Sequence, residues 1–347
     1  MHYGDVLEKS EKESVAECDA EQYKRELALE AITAALAHEL EHDPDVLLFG
    51  EDIGLNGGVF RATQGLQARF GERRVFDTPL AEGLIAGMAV GMAAQGLRPV
   101  CEIQFAGFMY STFDQLINHA ARMRHRTRGR LACPMVLRTP VGGGIHAPEH
   151  HGDSPEAWLA HIPGIKVVSP SSPARAYGLL LAAIRDPDPV VFLEPTRLYR
   201  LLREPVADDG TALPLGQAFV LRPGSDLTLV SWGAAVHETL LAADTLAGQG
   251  IEAEVIDMAT LKPLDMDTVL ASVARTGRVV IVHEAPLSGG LGAEIAARLA
   301  GDGLAYLLAP VERVTGFDIP MPLARREDDY LPGPARILAA CQRVLAC

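Results

Sequence analysis

The chain has few cysteines, and those it has are scattered. Cys18, Cys101, Cys133, Cys341 and Cys347 are odd in number and show neither CxxC nor Cys/His ligand spacing. This argues against a disulfide scaffold and a cysteine zinc site, and for a reduced, cytoplasmic chain. Positive charge is also scarce. Lys plus Arg number 31 against 45 Asp plus Glu, a net charge of −14, which argues against a nucleic-acid or anionic-lipid partner. The longest uncharged apolar run, between Glu82 and Arg98, is broken by glycines and falls short of the roughly 18 residues a membrane span needs. The first 25 residues lack the apolar core of a signal peptide and carry too many acids (Asp5, Glu8, Glu11, Glu13, Glu17, Asp19, Glu21) for an organelle transit peptide. We read residues 1–23 as a disordered acidic extension. No GxGxxG follows the first strand, where the chain reads Gly50-Glu51-Asp52-Ile53-Gly54, and Ser288-Gly289-Gly290-Leu291-Gly292 is late and incomplete. A Walker loop is absent too, which argues against a nicotinamide-dependent dehydrogenase and a phosphate-loop enzyme.

What is present alternates between helix and strand. Ala28, Ile32, Leu36 and Leu40 form the stripe of an amphipathic helix that Asp43-Pro44 stops, and Asp45–Phe49 is the short apolar run of a buried strand. Further strands are expected at 100–105, 135–137, 165–168 and 190–193, with helices after Pro79 and at 109–124 and 174–185. The polar, aperiodic Arg203–Gly210 reads as linker. A second block has strands near 227–231, 253–257, 279–283 and 306–308 and helices at 237–247, 267–274 and 293–300. This βα alternation implies parallel sheets covered on both faces. The domains expected are 24–205 and 215–347, joined by a linker at 206–214.

Three segments carry candidate chemistry. Glu82 opens a helix that bears Gly83, Gly87 and Gly91 on one face. Such a face costs helix stability, of order 1 kcal/mol per glycine, so something must approach it closely. Glu82 is either a first-turn acid favoured by the helix dipole or a carboxylate at the sheet's carboxyl edge, where α/β folds bind ligands. The loop Gly142–Glu156 crowds His146, His150 and His151 with Glu149, Asp153 and Glu156. It is read as a catalytic loop, as a solvated polar loop or, least in keeping with its spacing, as a zinc site. Arg122, Arg124, Arg126, Arg128 and Arg130 form a basic strip that suits a solvated face or an ion-pair network, with phosphate or acidic-partner binding as the alternative.

Several segments resemble the β-subunit of the thiamine-diphosphate-dependent 2-oxo acid dehydrogenases. They are Phe49–Asp52, Gly57–Arg61, Arg74–Glu82, Glu102–Phe105, Pro163–Val168, Phe192–Pro195 with Leu198-Tyr199, Glu254–Asp257 and Arg313–Asp318, and they keep the family's order from about residue 24 to the C-terminus. The resemblance implies a transketolase-like α/β fold, with a parallel-sheet pyrimidine-binding domain and a smaller C-terminal α/β domain. It implies that Glu82 hydrogen-bonds the cofactor's aminopyrimidine ring nitrogen and so promotes deprotonation of the thiazolium carbon. Leu80, Gln104 and Phe108 would line the same pocket, Phe108 standing where some members have Tyr. His151, placed ahead of Ser154-Pro155-Glu156, would manage proton or charge transfer during decarboxylation and reductive acylation of a lipoyl group, with His146 and His150 close by.

Family enzymes anchor the diphosphate through Mg²⁺ on a GDG followed by an asparagine. Here Gly301-Asp302-Gly303 follows a helix, and the two asparagines, Asn56 and Asn118, lie upstream. The resemblance therefore implies half a site, completed by an α-subunit that carries Mg²⁺, in an α₂β₂ heterotetramer feeding a lipoyl acyltransferase core. A structural monovalent cation held by backbone carbonyls near Cys133–Val136 and Ala183–Asp188 belongs to the same expectation. For the 2-oxo acid, Phe192–Pro195 and Val314–Asp318 lean to the branched-chain type, whereas Gly142–Glu149 and Phe105–Phe108 resemble pyruvate-type chains; branched-chain is favoured. A non-catalytic assembly subunit is the reading from another class, against which the presence of Glu82 and His151 argues.

Overall fold

The computed structural model describes residues 23–148 and 150–347. The acidic extension expected at 1–23 thus lies, except for Tyr23, outside the described residues, as does Glu149. The first strands in chain order are β1 (Tyr23–Leu27), β2 (Val46–Gly50), β3 (Val75–Asp77), β4 (Arg98–Glu102), β5 (Val136–Val141), β6 (Lys166–Val168), β7 (Val190–Pro195) and β8 (Arg203–Ala207). There follow β9 (Phe219–Arg222), β10 (Leu227–Ser231), β11 (Ala253–Asp257), β12 (Thr260–Lys262), β13 (Val279–Pro286) and β14 (Glu312–Gly316).

A seven-stranded sheet has the order β12-β6-β7-β5-β4-β2-β3, and a five-stranded one the order β14-β13-β10-β11-β9. Every pair in the two sheets is parallel except those made by the edge strands β12 and β9. The central strands β5 and β7 are buried at all six positions each, as a parallel sheet covered on both faces requires. One apolar core joins Phe49, Ile85 and Leu137 of the first half to Val230, Trp232 and Ile256 of the second. The two sheets are therefore packed as one interior.

Three expectations from the sequence need correction. The stretch read as linker begins with β8, which pairs antiparallel with β1. Val206 is buried there, and Glu204 Oε1 accepts from Ala174 N–H at 2.6 Å, serving the start of the helix Pro173–Arg185. The single helix expected at 109–124 is three short pieces, a 3-10 turn Ala106–Thr112, a π turn Gln115–Ala120 and one α turn Met123–Arg126. The strand expected at 306–308 is absent: Leu304–Tyr306 is a 3-10 turn, the side chains of Leu304, Tyr306 and the following Leu308 are exposed, and the edge strand is β14 instead. No helix among the described residues is long and apolar enough to cross a membrane.

Candidate active site

Four parallel strands deliver their ends to one edge of the larger sheet. β2 runs into Glu51-Asp52, β3 into Thr78–Glu82, β4 into Ile103–Phe105 and β5 into the loop that begins at Gly142. Close strand packing needs Gly50, since a Cβ there would lie 2.6 Å from the Glu102 carbonyl oxygen. Thr78 N–H donates to Gly50 O at 2.9 Å and Asp77 Oδ1 accepts from Gly54 N–H at 2.6 Å, so the segments after β2 and β3 are tied together.

Glu82 occupies the first turn of the helix Glu82–Ala94 and is partly exposed. Its neighbour is a carboxylate that sequence reasoning did not single out. Glu51 is buried, and its carboxyl is held above the usual range first by burial and then by the negative charges of Glu82 and Asp52. Its Oε1 has no hydrogen-bond partner. Gln104 reaches toward the same group, with Nε2 3.5 Å from both Glu51 O and Asp52 Oδ2. Asp52 has φ +58°, which turns the chain sharply at the strand end. The glycine face of the Glu82 helix is approached as expected at two of its three positions. A Cβ on Gly83 would lie 3.3 Å from Ser111 O and one on Gly87 3.5 Å from the Gln115 side chain, whereas Gly91 has nothing within 4 Å.

Beside the carboxylates stands an aromatic group. The ring of His151 lies 4.3 Å from that of Phe105 and 5.4 Å from that of Phe108, both edge to face, and the two phenylalanine rings are 6.0 Å apart. Gly107 permits this, because a Cβ there would fall 2.1 Å from His150 O. Tyr110 Oη donates to Asp153 Oδ2 at 2.6 Å and Gly142 N–H to Asp153 O at 3.0 Å, so the histidine loop is closed at its base. The structure thus brings Phe108 and His151 together, and Gln104 to the Glu51/Asp52/Glu82 group. Leu80 stands outside at 80% exposure. His146 points elsewhere, 3.7 Å from Asp328, and both His146 and His150 have positive φ. Among the described residues no three His, Cys, Asp or Glu side chains are gathered closely enough to hold a metal ion.

Directly beneath this edge Arg138 is fully buried between two carboxylates, donating to Glu194 Oε1 at 2.6 Å and to Glu102 Oε2 at 3.0 Å. Tyr199 Oη donates to Glu194 Oε2 at 2.5 Å. This cluster has no periodic or motif signal, since its members are scattered over four elements.

The other segments noted in the sequence lie away from the site. Of the arginine strip, Arg124 pairs with Asp188 at 2.7 Å, while Arg122, Arg126 and Arg130 donate to backbone carbonyls of their own segment. This is the ion-pair and solvated-face reading. Arg124, His125 and Arg128 border a cleft of about 750 Å³ with Lys166 and Lys262, at the amino ends of the strands, opposite the Glu82 edge. Cys133 N–H donates to Pro187 O at 3.2 Å, so the two segments considered for a monovalent cation touch. Gly301 and Asp302 end the helix Leu291–Asp302, and Gly303 caps it.

Residues 28–201 match the family model of the transketolase pyrimidine-binding domain, and 216–337 that of the transketolase C-terminal domain. The pyruvate dehydrogenase E1 component subunit beta of Bacillus subtilis is 50% identical over 317 residues, 91% of this chain and 98% of that protein. That of Acholeplasma laidlawii is 49% identical over 316 residues, 91% and 97% of the two chains. A solved structure described as a split-gene transketolase, an inactive β4 tetramer, aligns with a TM-score of 0.76 at 24% identity, covering 92% of this chain and 99% of that one. Its likeness speaks for the fold. The curated relatives named here bear pyruvate in their names, whereas the sequence reading leaned to the branched-chain type. Of the segments behind the branched-chain leaning, Phe192, Leu193 and Glu194 are buried in β7 and Val314 and Thr315 in β14, while Phe317 is exposed. The chain belongs to the family of E1 β-subunits of the thiamine-diphosphate-dependent 2-oxo acid dehydrogenases, enzymes of transketolase-like fold.

Proposed function

We propose that this chain supplies the aminopyrimidine-binding half of a pyruvate dehydrogenase active site that is completed by an α-subunit. The observation that carries the reading is the carboxyl-edge group: a buried Glu51 with an unpartnered oxygen, Glu82 beside it, and no side-chain ion pair formed by either among the described residues. Thiamine diphosphate, when bound, supplies a carbanion-stabilising thiazolium for decarboxylation of the 2-oxo acid. The donor set fits its other ring. A protonatable ring nitrogen suits the Glu82 carboxylate, the Gln104 carboxamide can hydrogen-bond the ring's edge, and the Phe105 and Phe108 rings offer an apolar wall.

Each residue then has a task. Glu82, in the first turn of its helix, would hold a proton at the ring nitrogen. Glu51, its carboxyl raised by burial and then by its acidic neighbours, would limit the charge around Glu82. His151, set against two aromatic edges, would carry a proton to or from the reacting group. Leu80, Leu84 and Leu55, exposed at 80, 49 and 88%, form the apolar rim that the α-subunit would cover. Mg²⁺ and the diphosphate would be held by that subunit in an α₂β₂ assembly that passes its acyl group to a lipoyl acyltransferase core. A monovalent cation would sit between the Cys133–Val136 and Ala183–Asp188 segments.

The test is co-expression with a candidate α-subunit, followed by decarboxylation assays with pyruvate and 3-methyl-2-oxobutanoate. Turnover should require both chains, thiamine diphosphate and Mg²⁺, and should favour pyruvate. Robust turnover by the isolated chain would overturn the half-site; preference for the branched acid would overturn the substrate.

A further inference from the structure

The run Gly142-Gly143-Gly144 has a physical cause that lies in the second half of the chain. Gly142 and Gly144 have φ of +79° and +90°, and such a turn presents successive N–H groups as an anion-binding concavity. Two carboxylates occupy it. Glu284, in the last turn of residues of β13, accepts from Gly143 N–H, and Glu327, which opens the short helix Glu327–Tyr330, accepts from Gly144 N–H at 2.5 Å. The approach leaves no room for side chains. A Cβ would fall 2.8 Å from Glu284 Oε1 at Gly142, 2.8 Å from Glu327 Oε1 at Gly143 and 1.8 Å from Arg197 Cδ at Gly144.

Arg197 supplies the positive charge: Nη1 lies 2.6 Å from Glu238 Oε1 and Nη2 3.6 Å from Glu284 Oε2. Glu327 is buried, and the side chains of Arg197, Glu238 and Glu284 are no more than 16% exposed. Burying Glu238 and Glu284 around one guanidinium, with the Glu327 carboxylate near Glu284, is costly and needs a return beyond stability. The return is geometric, because this turn is one end of the loop that carries His151. Thr196 Oγ1 donates to Val141 O or Gly142 O, at 3.1 and 3.0 Å, and Gly142 N–H reaches Asp153 O, so a grip on Gly143 and Gly144 is passed to both ends of the loop.

We propose that Glu284, set by Arg197, and Glu327 are positioning residues through which the second α/β unit holds the His151 loop in register with Phe105 and Phe108. The proposal rests on the role given above to His151 for its effect on rate, but not for its effect on the loop. Both are read in the enzyme reassembled with its α-subunit. Glu284→Ala and Glu327→Ala should each lower kcat for lipoyl-domain acylation about tenfold or more, with KM for the 2-oxo acid within threefold. Glu284→Gln, which keeps an acceptor oxygen, should recover most of the loss. Amide exchange at Gly143 and Gly144 should accelerate at least tenfold in the alanine variants, with Val136–Val141 unchanged. His151→Ala is the control. If it leaves the rate unaltered, the role of His151 falls, while the exchange data still decide the positioning claim. Unaltered exchange at Gly143 and Gly144 in the alanine variants overturns it, as does wild-type kcat in both of them beside a slow His151→Ala. Should Glu284→Ala not assemble, Glu327→Ala, on a peripheral turn, carries the same readings.

Discussion

Two groups of carboxylates sit at the same sheet edge and are treated in opposite ways. Glu102 and Glu194, on adjacent levels of β4 and β7, share Arg138 between them, and Tyr199 takes a further oxygen. Glu51 and Glu82, one step toward solvent, have an acidic neighbour in Asp52 and no cation set between them. The first group is closed electrostatically and belongs to the scaffold. The second is left with a buried, unpartnered oxygen beside a partly exposed carboxylate, the arrangement expected where a ligand, and not another side chain, completes the hydrogen bonding. A strongly charged cluster is therefore no guide to function by itself; what distinguishes the two is whether the protein supplies its own counter-charge.

The sharpest way to break this contrast is to open the closed group. Arg138→Leu strands two buried carboxylates, which typically costs about 3–5 kcal/mol. Denaturant unfolding of the isolated chain should show that loss; a change below about 1 kcal/mol would mean the cluster is not part of the scaffold. The open group should respond in reverse. Glu82→Gln is expected to leave unfolding free energy within about 0.5 kcal/mol, yet to slow the reassembled enzyme by about 100-fold, roughly 2.7 kcal/mol of barrier. Equal stability and unaltered rate would return Glu82 to the part of a helix-dipole acid.

A further carboxylate refines the rule from the interior. Glu156 is buried between the two halves with Trp232 Nε1 as donor at 3.3 Å, and burial pushes its carboxyl up to about 7. A carboxyl raised above its unfolded value stabilises the fold fully at low pH. That contribution is lost as pH rises from about 4.5, where the unfolded chain ionises, to about 7, where the folded one does. Glu156→Gln keeps the Trp232 bond and carries no charge at any pH. Its unfolding free energy should match the parent's near pH 4.5 and exceed it at pH 8 by about 3 kcal/mol, with a correspondingly higher melting temperature. Equal melting curves at pH 8 would show that Glu156 is better compensated than its surroundings imply.

The contrast also explains what could be read in advance. Of the parallel strands, β2, β7, β10 and β13 were legible as near-continuous apolar runs, whereas the edge strands β3 and β14 were not read. Strands β1, β8, β9 and β12 were not, because edge and antiparallel strands expose alternate residues and carry polar ones such as Glu204 and Lys262. Glu82 and His151 were already candidates from their own segments, whereas their roles, and Gln104 and Phe108 altogether, came from the resemblance. Glu51 escaped notice because its interest arises from burial beside Glu82, and the glycine run stayed unexplained because its partners, Glu284 and Glu327, lie 141 and 183 residues away along the chain.

The smallest expected effect tests the rim of the open group. Leu80 follows Pro79 in the connection between β3 and the Glu82 helix and is 80% exposed, so it contributes almost nothing to the folding of the isolated chain. Leu80→Ser should therefore leave its unfolding curve within about 0.5 kcal/mol of the parent's. If an α-subunit covers this rim, the same change removes a buried leucine from the interface, worth about 1.5–3 kcal/mol when fully covered. Association measured by dilution of the reassembled enzyme should then weaken about tenfold, whereas a closed scaffold residue would move both quantities together. An unfolding curve displaced as far as the association constant would place Leu80 with Arg138 in the interior architecture. An unmoved association constant would shift the subunit contact away from the carboxylates it is meant to complete.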